Sequence, residues 1–225
     1  MIYAIADLHL DYTENKSMEV FGDGWANYQE RIFSNWEKIV NEDDTVLIPG
    51  DISWAMSADE ARIDLGKIDK MKGKKILMKG NHDYWWSSLK KLEELGLSSL
   101  SFLQNNHFEV EGYDICGTRG WISKDNKEFD EHDLKIYKRE LIRLENSFKE
   151  SKSSKRIVLL HYPPLNADGS FNEFFDLCKE YKVSKLVYGH LHGVGHKLIK
   201  EGNIEGIEVS CVAGDYIDFM PVRIG

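Results

Sequence analysis

An apolar run breaks at Gly80 within residues 75–83, Lys-Ile-Leu-Met-Lys-Gly-Asn-His-Asp, and delivers Asn81, His82 and Asp83 together. A short apolar run bounded by glycine fits a buried strand, and in open α/β sheets ligands bind at the carboxyl ends of strands. The pattern occurs four more times. Residues 2–6 run into Asp7-Leu8-His9, 46–49 into Gly50-Asp51, 157–160 into His161, and 186–188 into Gly189-His190-Leu191-His192. Five predicted strands therefore end in five clusters of metal-capable side chains.

At 225 residues and 42% hydrophobic composition the chain can bury a substantial core, and we read residues 1–225 as one domain. Its net charge of −9 argues against a general grip on nucleic-acid backbone, while small phosphates stay compatible. Cys116, Cys178 and Cys211 are odd in number, scattered and set in apolar stretches, which predicts buried thiols in a reducing compartment. Met1 leads directly into a core strand with no basic leader, and no apolar run approaches membrane-spanning length. A soluble, cytoplasmic protein with no membrane partner is the expectation; oligomeric state is left open.

Along the chain, a polar loop to Gly24 precedes a helix over 25–40, with Trp25, Tyr28, Ile32 and Trp36 at helical spacing. Ser57 and Glu60 form a capping box opening a second helix, and a third is predicted over 85–95, stopped by Gly96. Short strands follow at 102–104, 108–110 and 113–116, the last two joined by a Glu111-Gly112 turn. A long helix spans 133–150, and a Ser-Lys loop leads to the strand before His161. Ser170 with Glu173 caps a last helix through Tyr181. The tail alternates over 197–200, 207–213 and 219–224, which predicts a chain ending on antiparallel sheet.

Singly these motifs are weak; ordered along one chain they are strong. Imidazole and carboxylate without thiolate suit zinc, manganese or ferrous iron. In this order, Asp7-x-His9, Gly50-Asp51, Gly80-Asn81-His82-Asp83, a lone His161 and Gly189-His190-x-His192 resemble the calcineurin-like metallophosphoesterase superfamily. The resemblance runs from Asp7 to His192. It implies an α/β, four-layer α-β-β-α sandwich of two mixed β-sheets flanked by helices. It also implies that Asp7, His9 and His192 bind one divalent ion (Mn²⁺, Fe²⁺ or Zn²⁺), that Asn81, His161 and His190 bind another, and that Asp51 bridges them. His82 becomes the acid that protonates the leaving group, with Asp83 as its orienting partner. The implied activity is hydrolysis of a phosphomonoester or phosphodiester by hydroxide generated at the two ions.

Two departures narrow this. Trp54 stands where many relatives carry Asp or Tyr, so no tyrosinate-bound ferric iron is expected, and the Asp-Arg-Gly continuation of protein phosphatases is absent. Arg119, Trp86 and Trp121 are candidate substrate contacts, since arginine suits a bidentate grip on phosphate and indoles can wall a pocket. His107 and His196 read as strand residues, and His132 as the start of a helix. A nuclease and a non-catalytic protein-binding scaffold are the rival readings; acidity weighs against the first, the intact ligand set against the second.

Overall fold

Alternation along the first strands decides the layering. β1 (Ile2–Ala4) sends Ile2 and Ala4 to one face and Tyr3 to the other. β2 (Thr45–Pro49) opposes Leu47 to Val46 and Ile48, and β3 (Lys74–Met78) opposes Ile76 and Met78 to Leu77. Both faces of such a sheet are apolar, so both must be covered. The computed structural model, which describes residues 1–12, 16–149 and 151–225, covers one face with helices and the other with a second sheet.

The remaining strands are β4 (Leu100–Leu103), β5 (Phe108–Val110), β6 (Tyr113–Thr118), β7 (Arg156–Leu160), β8 (Lys185–Tyr188), β9 (Gly202–Ile204), β10 (Ile207–Cys211) and β11 (Val222–Arg223). Among the described residues they form two sheets, ordered β11-β1-β2-β3-β4 and β5-β6-β7-β8-β10-β9. Each is mixed: β1 to β4 run parallel with β11 antiparallel, and β6, β7, β8 and β10 run parallel between antiparallel β5 and β9.

Leu47, Ile76 and Met78 of the first sheet meet Ile115, Ile157, Leu159 and Val187 of the second. Burying each such side chain contributes about 1.5–3 kcal/mol, enough to hold strands as short as β1 and β8. On the outer faces, Ile32 and Trp36 of α1 (Tyr28–Ile39) and Leu65 of α2 (Ala58–Asp69) cover the first sheet, with short α3 (Leu89–Glu93) beside them. Tyr137 and Leu144 of α4 (Glu131–Phe148) and Phe174 and Phe175 of α5 (Glu173–Glu180) cover the second. This is the α/β, four-layer sandwich of two mixed sheets. The three cysteines lie unpaired in the second helix–sheet layer, where burial pushes the Cys116 and Cys211 thiols up to about 12 and makes them apolar filling. No helix among the described residues is long and apolar enough to cross a membrane.

Local expectations hold where one element decides them and fail where a neighbour does. Both halves of the Ser57–Glu60 capping box form, and Glu111 and Gly112 make the hairpin turn with φ of 49° and 80°. The predicted helix over 25–40 begins only at Tyr28, because a 3₁₀ turn, Asp23–Trp25, buries Trp25 first. The helix predicted over 85–95 shrinks to Leu89–Glu93: the Trp85 indole is tied to Asp83 and the Trp86 indole to Gln104. The predicted end of the long helix at Glu150 lies outside the described residues. Residues 197–200 are no strand, since a 3₁₀ segment, Gly193–Leu198, carries His196; the tail does end on antiparallel pairs, β10 with β9 and β11 with β1, although β10 also pairs parallel with β8. His107 precedes β5 instead of lying in it.

The cap of α5 moves as well. Asn172, nearly fully buried, accepts the Phe174 N–H, while Ser170 bonds Asp168 at the surface. Replacing a side-chain cap by alanine costs about 0.5–2 kcal/mol. Asn172→Ala should lower the unfolding free energy by that amount, read in urea as a lower midpoint at unchanged m-value, and Ser170→Ala should stay within about 0.5 kcal/mol of the parent. Equal losses in the two variants would reject Asn172 as the cap.

Candidate metal centre

Parallel pairing sets the carboxyl ends of β1, β2 and β3 side by side in one sheet and those of β7 and β8 in the other. Past these ends the chain turns through left-handed backbone at Asp7, His9, Asp51 and His190, with φ of 58°, 43°, 53° and 73°. Such a conformation costs a non-glycine residue about 1–2 kcal/mol, so it persists only where neighbours hold it. Asp7 N donates to the Gly50 carbonyl and His9 N to that of Asp51, both at 3.0 Å. His190 N donates to Asp7 Oδ2 and Asp51 N to Asp83 Oδ2, both at 2.9 Å. Two glycines permit the approach: a Cβ on Gly80 would lie 2.1 Å from Asp51 Oδ1, and one on Gly189 2.4 Å from Asp7 Oδ2.

The turns gather the side chains into two groups. Asp7, His9 and His192 each present a ligand atom within 4.8 Å of the others, and so do Asp51, His161 and His190. Asp51 Oδ2 lies between them, 3.7 Å from His9 Nε2 and 3.4 Å from His161 Nε2. Asn81 Oδ1, 2.6 Å from His161 Nε2, joins the second group. His190 and His192, two apart in sequence, serve different groups because the left-handed turn at His190 separates their directions.

These groups have the chemistry of a cation site. Asp7 Oδ1, His9 Nε2 and His192 Nε2 are buried without hydrogen-bond partners among the described residues. His192 Nδ1 donates to Asp215 Oδ1 at 2.7 Å, which turns the Nε2 lone pair toward Asp7 Oδ1 at 3.5 Å. His161 Nδ1 donates to the Pro49 carbonyl at 3.1 Å, so its Nε2 lone pair faces Asn81 Oδ1 and lies 3.2 Å from His190 Nδ1. Acceptors facing acceptors in a buried site are costly, and a bound cation reconciles them. The nitrogen and oxygen donors, with no thiolate, fit zinc, manganese or ferrous iron. With no ion bound a proton takes the cation's part at His192: burial opposes its charge, yet Asp7 and Asp215 on either side raise its pKa to about 10, so a metal ion must displace that proton to bind. Burial pulls His9 down to about 4, and it opposes ionisation of Asp51, whose carboxyl His161 nevertheless holds well below the usual range.

The His82 side chain, 36% exposed, sits over the second face of this arrangement with Nε2 4.0 Å from Asp51 Oδ2 and its ring 4.5 Å from that of Trp54. Trp54 also stacks on His9 at 5.0 Å. Among the described residues Asp83 makes no hydrogen bond to the His82 ring. Its oxygens accept the N–H groups of Asp51, Ile52, Ser53 and Gly80 and the Trp85 indole, which uses the carboxylate as a clamp between two strand ends.

The candidate substrate contacts divide. Trp121 lines a cleft of about 280 Å³ beside His190, with Tyr162 at 5.4 Å between ring centres. Arg119 and Trp86 line a different cavity, and the Arg119 guanidinium stacks 4.3 Å over the Trp121 ring between the two. Sequence reasoning missed Asp215, which holds His192 and lies 3.2 Å from His196 Nε2. A signal was present, since residues 207–213 run into Gly214-Asp215 just as 46–49 run into Gly50-Asp51.

A family model described as calcineurin-like phosphoesterase matches residues 1–194, and the chain belongs to that family. The Gene 66 protein of Mycobacterium phage L5 is 32% identical over 78 residues, 35% of this chain and 37% of that protein, so the match spans well under half of that relative. A protein of unknown function from Aquifex aeolicus has a similar structure, with a TM-score of 0.53 at 18% identity over 99% of this chain and 94% of that one. Phosphopantetheinyl hydrolase from Mycobacterium tuberculosis gives 0.56 at 15% identity over 94% and 89%. At such identities the two structures are similar to this chain in fold.

A carboxylate behind a ligating histidine fixes its tautomer, and its loss typically costs about 10–100-fold in metal affinity. Asp215→Asn should weaken manganese binding by that factor in calorimetric titration of chelated protein, with the far-ultraviolet spectrum unchanged. Affinity equal to the parent's would remove Asp215 from the site. Chelation should also lower the melting temperature of the parent, because an ion that binds only the folded state stabilises it.

Proposed function

We propose that this member of the calcineurin-like phosphoesterase family is a binuclear metal-dependent phosphohydrolase acting on a small phosphomonoester or phosphodiester, with residues 1–225 as one catalytic domain. The observation that carries the reading is the pair of converging ligand groups that share Asp51 between them, with Asp7 Oδ1, His9 Nε2 and His192 Nε2 buried without hydrogen-bond partners among the described residues. Asp7, His9 and His192 would hold one divalent ion, Asn81, His161 and His190 the other, and Asp51 both. When bound, such ions supply Lewis-acid charge for the phosphoryl oxygens and an activated water near neutral pH.

The protein's own groups do the rest. The His82 side chain is exposed enough to reach substrate, although its Nδ1 is buried without a hydrogen-bond partner among the described residues. It donates a proton to the departing oxygen, with the Trp54 ring fixing its plane. Asp83 positions the two loops that carry Asp51 and His82 and does not take part in proton transfer. Trp121 and Tyr162, beside His190, offer an aromatic wall for the organic part of the substrate. The net charge of −9 disfavours long polyanions such as nucleic acid.

An activated phosphodiester should be turned over only after manganese, zinc or ferrous iron is added to chelated protein; turnover by the chelated protein would overturn the reading. His82→Ala should lose about 10² to 10⁴-fold with alkyl or ribosyl leaving groups, and far less with nitrophenyl esters, whose anions leave without a proton. The measurement is log kcat against leaving-group pKa at matched metal content. A steeper slope in the variant marks proton donation, and parallel lines would exclude it.

A further inference from the structure

A cavity of about 260 Å³ opens between the carboxyl ends of β3 and β4 in one sheet and β6 in the other, closed on one side by α4. Three cations line it: Lys79, Arg119 and Arg143. Its one carboxylate, Glu140, is 1% exposed and already engaged. Glu140 Oε2 accepts from Thr118 Oγ1 at 2.6 Å, and Oε1 accepts from Arg143 at 2.7 Å and lies 3.6 Å from Arg139 Nε and 3.8 Å from Arg119. That carboxylate therefore sets the guanidinium groups in place without satisfying all of them. Arg119 Nε is buried with no partner, and Lys79 Nζ, half-buried, makes no hydrogen bond or ion pair among the described residues.

The cavity is joined to the metal centre through the backbone. Lys79 is two residues before Asn81, a span of at most about 7 Å between Cα atoms. The Arg119 carbonyl accepts the N–H groups of His161 at 3.2 Å and Tyr162 at 2.9 Å. In a chain of net charge −9, three cations around one neutralised carboxylate call for a dianion, and two guanidinium forks with an ammonium match the oxygens of a phosphate.

We infer that this cavity is a second anion subsite, holding a phosphate group of the substrate other than the one cleaved at the metal centre. The inference rests on the phosphohydrolase reading and narrows its substrate class to small molecules with two separated phosphates, of which a nucleoside 3′,5′-bisphosphate is the accessible probe. Arg119 then grips the remote phosphate and not the reacting one.

The test uses the full chain loaded with manganese. Adenosine 3′,5′-bisphosphate should exceed both adenosine 3′- and 5′-monophosphate in kcat/KM, chiefly through KM. Lys79→Gln and Arg143→Gln should each reduce that preference by about 10–100-fold, the worth of one charge-assisted hydrogen bond, at unchanged metal content. Arg143→Gln also unpairs Glu140 in part, so Lys79→Gln, which removes no protein contact, decides if the first variant is unstable. Calorimetric titration with inorganic phosphate gives a second readout: two binding events are expected in the parent and one in each variant. If no phosphoester is turned over, the phosphohydrolase reading falls, and unchanged phosphate binding in both variants would overturn the subsite as well. If monophosphates are turned over equally well and the variants leave the preference unaltered, the subsite alone is overturned. Phosphate binding lost in the variants without any preference for the bisphosphate also overturns it, in favour of a site for free phosphate.

Discussion

One buried carboxylate underlies the geometry of the site. Asp83 accepts hydrogen bonds from the N–H groups of Asp51, Ile52 and Ser53 after β2, from Gly80 after β3, and from the Trp85 indole. Charge without solvent is tolerated only where donors replace the lost water, and here five do so. The consequence is a separation so small that Gly80 has no room for a Cβ against Asp51. Asp51 is thereby held in left-handed backbone with one carboxylate oxygen on the His82 N–H and the other between His9 and His161.

Strain and unpaired acceptors occur together at this edge. Four of the candidate ligands sit in left-handed backbone, at about 1–2 kcal/mol each, and several of their ligand atoms are buried without partners. Neither feature stabilises the chain by itself. The two sheets and the apolar layer between them carry both costs, and for that reason the site lies where the strands of both sheets end. Charge is separated in the same region: carboxylates and imidazoles gather at the strand ends, and Lys79, Arg119 and Arg143 surround the adjoining cavity.

Much of the fold was legible because it depends on short-range pattern. The unbroken apolar runs 46–48 and 76–78 mark buried strands, and Ser57 with Glu60 marks the start of α2. The misreadings occur where a distant partner outweighs local preference. Trp85 and Trp86 open the stretch read as a helix, yet Asp83 and Gln104 draw their indoles into a turn. Ser170 has the spacing of a cap, yet Asn172 caps the helix, its amide donating to the Leu165 carbonyl while its oxygen accepts the Phe174 N–H. The strand predicted over 197–200 gives way to a 3₁₀ segment that brings His196 to Asp215.

From the sequence alone came the identity of the groups that follow each strand, the absence of thiolate among them, and the resemblance those five clusters carry. Each is a property of neighbouring residues, and period and order along the chain are sufficient to read it. Only the tertiary structure decided that Asp83 bonds the backbone of two loops, that Asp215 stands behind His192, and that Arg119 and Trp121 line different cavities. These depend on which strand ends meet across two sheets. Distances through space are set by packing between elements far apart in sequence, and no local pattern encodes them.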